Sequence, residues 1–123
     1  MAAYQTKLFK KWNKKNRIPD EKLLDAIKSI DSGSGIVNYG EGLHKVRIAK
    51  DKGKSSGYRT IIVHKKGFRS FVVYGFEKNE KANISDNEKT FLKNYGMSLL
   101  NSTEKEIEEM LENGEIFKME SSQ

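Results

Sequence analysis

The sequence predicts an α+β fold: an N-terminal helical hairpin packed on a small antiparallel β-meander, followed by C-terminal helices. Three observations predict it. Apolar residues recur at helical spacing before Gly33-Ser34-Gly35. Three apolar-rich, strand-like runs follow between Leu43 and Ile84, joined by short polar connections. Two Ser/Thr-x-x-Glu signatures then open helices near the end of the chain.

In the first helix, Thr6 to Asn16, Leu8, Phe9 and Trp12 share one side, with Lys7, Lys10, Lys11, Lys14 and Lys15 around the rest. Pro19 suits the first turn of a second helix, and Asp20 and Glu21 suit the positive end of its dipole. Leu23, Leu24, Ile27 and Ile30 continue the apolar stripe until the glycines stop it. Ile36 to Gly40 reads as a short extended or turn segment. His44 to Ile48 has period two, with Val46 and Ile48 facing one way and Lys45 and Arg47 the other. Leu43 is out of phase with that set and is assigned to the preceding turn.

Asp51 to Gly57 is a loop, Tyr58 to His64 a β-rich run, and Lys65-Lys66-Gly67 a tight turn. Phe68 to Phe76 is the strongest strand signal, and connections this short imply antiparallel neighbours. Ser85-Asp86-Asn87-Glu88 opens a helix carrying Phe91, Leu92, Tyr95 and Leu99. Thr103-Glu104-Lys105-Glu106 opens an acidic helix that ends at Asn113-Gly114. The helical C-terminal part thus spans about 86–113, and Glu115 to Met119 suits a short last strand.

A length of 123 residues suits one domain over 1–123. The absence of Cys rules out disulfides and thiolate metal sites and makes the cytoplasm the expected location. The N-terminal residues lack a secretory signal, and no window approaches the roughly 18 apolar residues of a membrane span, so no membrane partner is expected. Two His without a carboxylate cluster make a poor metal site, and no metal or other cofactor is expected. The loop DKGKSSGYR leads into a strand rather than a helix and lacks the spacing of a nucleotide-binding phosphate loop.

Cations dominate what remains. Residues 1–81 carry 19 Lys/Arg against 8 Asp/Glu, whereas residues 82–123 carry 4 against 9. The basic excess therefore lies in the first part and points to a polyanionic partner. Within it, Lys45, Arg47, Lys50, Lys52, Lys54, Arg59, Lys65, Lys66, Arg69, Lys78 and Lys81 are interleaved with Tyr58, Tyr74 and Phe76. Cations that take phosphates beside aromatics that stack on bases suit single-stranded RNA.

The segment SSGYRTIIV, followed by a hairpin and then FVVYGFEKNEKANIS, resembles toxins of the RelE/ParE superfamily, and most closely the RelE/HigB-like branch. Members share a glycine-rich loop ending in Gly-aromatic-Arg and a later Tyr-Gly-Phe-x-Lys-Asn-Glu segment; the likeness covers about residues 20–115. The resemblance implies a toxin of a type II toxin–antitoxin system that cleaves mRNA in the ribosomal A site, a ribosome-dependent endoribonuclease or mRNA interferase that inhibits translation. Its partners would be the ribosome, mRNA and a cognate antitoxin, a small helix-turn-helix protein.

Carried over by position, Arg59 resembles the arginine that contacts the scissile phosphate, and Lys45 and Arg47 the basic pair on the preceding strand. Lys78 lies in the basic segment after the last strand. Asn79 stands where relatives have a catalytic Arg, and Ser85 where they have a base-stacking Tyr. Ser85 is already a good helix cap, which leaves Tyr74 as the candidate for stacking.

Attack by a neighbouring 2′-OH needs a proton acceptor, a cation for the pentavalent phosphate and a proton donor for the leaving oxygen. A Lys crowded by cations is easier to deprotonate, so Lys54 or Lys45 suits the base and Arg59 the charge stabiliser, in a metal-independent reaction. His64 or His44 is an alternative acid or base. The catalytic candidates are thus Arg59, Lys45, Arg47, Lys54 and Lys78, with Lys50, Lys52, Tyr58, Tyr74, Asn79 and Lys81 as RNA contacts. Two other readings stay open: a toxin of the same fold acting on DNA gyrase, and a non-catalytic RNA-binding module.

Overall fold

The computed structural model describes residues 2–33, 35–49 and 57–120. In chain order the elements are β1 (Ala2–Thr6), α1 (Lys7–Asn16), α2 (Asp20–Ser32), β2 (Ile36–Gly40), β3 (Leu43–Ile48), β4 (Tyr58–Lys65), β5 (Arg69–Glu77), α3 (Asp86–Leu100), α4 (Glu104–Glu112) and β6 (Ile116–Lys118). The α+β class and the antiparallel run β3 to β5 match the expectation from sequence, and Ile36–Gly40, read as extended or turn, forms β2 antiparallel to β3.

The expected start does not match, because a strand precedes the helical hairpin. The six-stranded sheet has the order β2-β3-β4-β5-β1-β6. Within it β1 runs parallel to β5 and antiparallel to β6. Only Tyr4 and Thr6 of AAYQT are residue types favoured in strands, too few to mark one by themselves. What makes it a strand is its place between β5 and β6, where Ala3, Tyr4, Gln5 and Thr6 are all buried.

Both faces of the sheet are covered. On one face α1 and α2 supply Phe9, Leu23, Ala26 and Ile27, which pack on Val46, Ile48, Ile62 and Val72. On the other, α3 and α4 supply Leu92, Leu99 and Ile107, which pack on Leu43, Ile61, Val63, Phe71 and Val73. The unbroken apolar runs Ile61-Ile62-Val63 and Phe71-Val72-Val73 fit this, since strands buried on both sides lose the apolar/polar alternation. A register shift between β4 and β5 falls at Ile61/Ile62. Leu43 belongs to β3 rather than to the turn; it is out of phase with Val46 because it enters the opposite core.

Local chemistry explains the joints. Thr6 ends β1 and caps α1: its hydroxyl accepts from the Phe9 amide at 3.2 Å and donates to the Val72 carbonyl at 3.2 Å. Trp12 crosses β5 at Gly75, where an added Cβ would lie 2.6 Å from the indole ring. Ser85 and Thr103 form full capping boxes with Glu88 and Glu106. Buried Arg69 donates to the Ser102 carbonyl at 2.6 Å and to Glu104 at 2.7 Å, and so fixes the joint between α3 and α4. Among the described residues no helix is long and apolar enough to cross a membrane.

Candidate functional site

Strand register gathers the cations. Lys45 and Arg47 alternate with Val46 on β3, so they share the face of Leu43, the one that α3 covers. Arg59 lies directly across from Arg47, and Phe76 across from Arg59. Lys45 faces Ile61, which faces Tyr74. Three rows therefore cross this face: Leu43–Val63–Phe71 in the core, then Lys45–Ile61–Tyr74, then Arg47–Arg59–Phe76. Arg47 is exposed, and Lys45, Arg59 and Tyr74 are half-buried.

Directly opposed residues in a sheet hold their Cβ atoms about 4.5–5.5 Å apart, so the Arg47–Arg59 pair sets like charges against each other. Arg59 is pushed below its ordinary pKa, first by burial and then by Arg47. Lys45 is pushed down in the same way, first by burial and then by Arg59. Among the described residues no carboxylate pairs with any of the three. Gly57 lets β4 start here, because a Cβ at that position would meet the Ile48 carbonyl oxygen at 2.8 Å.

The segment between β5 and α3 forms the rim. Lys78 and Asn79 stand exposed on the turn after β5, and the Lys78 amide donates to the Gly57 carbonyl at 3.1 Å. This bond sets the turn beside the start of β4. Lys81 is committed elsewhere: its ammonium donates to Glu88 at 2.7 Å and to the Tyr74 hydroxyl at 3.2 Å. Glu88 collects that ammonium, the Tyr74 hydroxyl at 2.9 Å and the Ser85 amide at 2.8 Å. Its carboxyl is thereby held down at about 2, chiefly by Lys81, and Lys81 is raised in turn by Glu88.

Several sequence candidates fall elsewhere. Tyr58 lies on the opposite face, edge-on to Trp12 with centroids 5.7 Å apart. Phe76 is 3% exposed and belongs to the core. Lys50, Lys52 and Lys54 lie outside the described residues. His44 and His64 both face α2 rather than Arg59. His64 bridges Asp31 at 2.9 Å and Ser70 at 2.5 Å, and His44 bonds the Gly42 carbonyl at 2.9 Å. The Ser70–His64–Asp31 string has the order of a hydrolytic triad, but Ser70 is fully buried and no substrate reaches its hydroxyl. Among the described residues no group of His, Asp and Glu is placed to hold a metal ion.

Two residues not singled out from sequence border the cations. Tyr39 donates to Asn83 at 2.8 Å, and Lys45 reaches the same oxygen at 3.4 Å. Tyr39 sits in a weak strand and Asn83 in a polar linker, so neither carries a local signal. Only the packing of β2 beside β3 brings them together.

What the face offers chemically is a set of hydrogen-bond donors for a phosphate and an amine easier to deprotonate than usual, beside half-buried Tyr74. Residues 1–119 match the family model described as RelE toxin of RelE / RelB toxin-antitoxin system. No curated protein matches the chain.

Proposed function

The chain belongs to the RelE toxin family, the toxins of a toxin–antitoxin system and generally translation-inhibiting endoribonucleases, and on that premise we propose a ribosome-dependent, metal-independent mRNA endoribonuclease. The observation that carries the reading is the row of opposed Arg47 and Arg59 beside Lys45, which no carboxylate pairs with among the described residues.

In this reading the RNA 2′-oxygen attacks the adjacent phosphorus. Lys45, deprotonated, accepts the 2′-OH proton, and the bond to the 5′-oxygen breaks to leave a 2′,3′-cyclic phosphate and a 5′-hydroxyl. Arg59 and Arg47 donate to the equatorial oxygens, where charge grows in the transition state. Lys78 supplies the proton to the leaving oxygen, and Lys54, outside the described residues, is the alternative to Lys45 as base. Lys50, Lys52 and Asn79 take flanking phosphates, and Tyr74 offers the edge of its ring to a base. Lys81, tied to Glu88, acts by holding the rim rather than by touching RNA.

Exposed Arg47 and half-buried Arg59 and Lys45 make an open surface. Such a surface does not by itself hold RNA in line for attack. The ribosomal decoding site would supply that orientation, which supports ribosome dependence. The protein would act in the cytoplasm, paired with a small helix-turn-helix antitoxin that masks the basic face.

The test compares wild type with Arg59→Ala for growth arrest and for mapped mRNA 5′ ends. Loss of one preorganised donor should lower cleavage about 10²- to 10³-fold. Growth arrest by wild type with no new mRNA ends would refute the reading, and induction of DNA-damage signalling in its place would favour a gyrase target.

A further inference from the structure

Asn83 lies two residues before the cap of α3, and its side-chain oxygen accepts three hydrogen bonds. They come from the Tyr39 hydroxyl at 2.8 Å, the Ile84 amide at 2.9 Å and the Lys45 ammonium at 3.4 Å. The Ile84 amide and the Lys45 ammonium fix which way the amide points, since a flipped NH2 would face two groups that can only donate. Tyr39 is itself held from behind by Lys89, whose ammonium lies 4.8 Å from its ring centroid. Burial raises the Tyr39 phenol, so its hydroxyl stays a donor.

We propose that Asn83, backed by Tyr39, is a positioning residue that holds the Lys45 amine for proton abstraction, taking one of its N–H bonds without bringing a negative charge to it. The proposal rests on the endoribonuclease reading above. A neutral amine has one lone pair and two N–H bonds. Anchoring one N–H to a fixed oxygen aims the lone pair, whereas a free Lys side chain samples many rotamers.

The neutrality of that oxygen matters. On the same rim Lys81 is anchored by a carboxylate, Glu88, and its ammonium form is favoured. Lys45 is anchored by an amide, and its ammonium form is disfavoured by burial and by Arg59. The two lysines thus receive opposite treatment, one locked as a cation and the other kept ready to lose a proton. The other charged or titratable groups around this face are Arg47, Tyr39, Tyr74, Lys81 and, on α3, Asp86, Glu88, Lys89, Lys93 and Tyr95, with Asp86 paired to Lys89. None of them places a carboxylate in an ion pair with Lys45 among the described residues.

The test measures cleavage of mRNA on programmed ribosomes across pH, together with an NMR titration of the Lys45 side chain, on the full chain. Asn83→Ala should lower kcat about five- to tenfold with KM nearly unchanged, the loss of one orienting hydrogen bond. Asn83→Asp should move the acidic limb of the rate profile, and the Lys45 titration with it, up by about one pH unit. Tyr39→Phe should lower kcat in the same direction by less.

A purely structural role for Asn83 would change yield or melting but not the limb. An unmoved limb and an unmoved Lys45 titration in Asn83→Asp, beside an active wild type, overturn this proposal alone. Wild type that cuts no RNA overturns the reading and the proposal together. If Asn83→Asp does not fold, unchanged kcat in Tyr39→Phe is the overturning result.

Discussion

Glu88→Gln should destabilise the protein at neutral pH and leave it almost unaffected in acid. The Glu88 carboxylate accepts from Lys81 at 2.7 Å, from the Tyr74 hydroxyl at 2.9 Å and from the Ser85 amide at 2.8 Å. These partners hold its carboxyl at about 2 instead of 4.5. At 1.36 kcal/mol per pH unit the ceiling on the linked stability is about 3.4 kcal/mol. Lys81 and Glu88 side chains are 33% and 34% exposed, however, so water screens the pair. Screening reduces the expected loss to about 1–2 kcal/mol.

The sign follows from the depressed pKa. The contribution is complete above about 4.5, fades as pH falls from 4.5 toward 2, and is gone below that. Urea unfolding of wild type and Glu88→Gln at pH 7, 4.5 and 3 measures the gap at each pH. A gap of 1–2 kcal/mol at pH 7 that narrows steadily at the lower values is the expected result. A gap below about 0.5 kcal/mol at pH 7, or one that stays constant with pH, would refute the assignment of this carboxylate as a charge-dependent anchor.

Two further outcomes follow from the geometry. Gly75→Ala would put a Cβ 2.6 Å from the Trp12 ring, so α1 must shift off β5; a loss of about 1–3 kcal/mol in chemical denaturation is expected, and a neutral effect would mean that Trp12 repacks freely. Arg47→Gln removes one of two opposed cations and should leave stability unchanged or raise it by about 0.2–1 kcal/mol while lowering RNA cleavage. A clear drop in melting temperature for that variant would show that the repulsion is already relieved in the free protein.

The spacing of residues was enough for most elements. Leu23, Leu24, Ile27 and Ile30 mark α2, and Ser85 and Thr103 mark the starts of α3 and α4, because turn spacing and capping act within a few residues. The alternation of Lys45, Val46 and Arg47 likewise placed both cations on one side of β3. The first strand was not legible, because AAYQT becomes a strand only by pairing with Phe71 and Val72 far along the chain and with Phe117 and Lys118 farther still.

The site divides the same way. Sequence alone determined which cations exist, that they alternate with core residues, and that Gly57-Tyr58-Arg59 and Tyr74-Gly75-Phe76 resemble the RelE toxins. Only the tertiary structure decided which of them share a surface. Register put Arg59 across from Arg47 and turned Tyr58 toward Trp12, since a shift of one residue exchanges the two faces of a strand. Packing of β2 and the Ala82–Ser85 linker against β3 brought Asn83 to Tyr39 and to Lys45 across separations of 44 and 38 residues. No local periodicity encodes such a meeting; it exists because the sheet and the cap of α3 hold the β2–β3 hairpin and a linker far along the chain at hydrogen-bond distance.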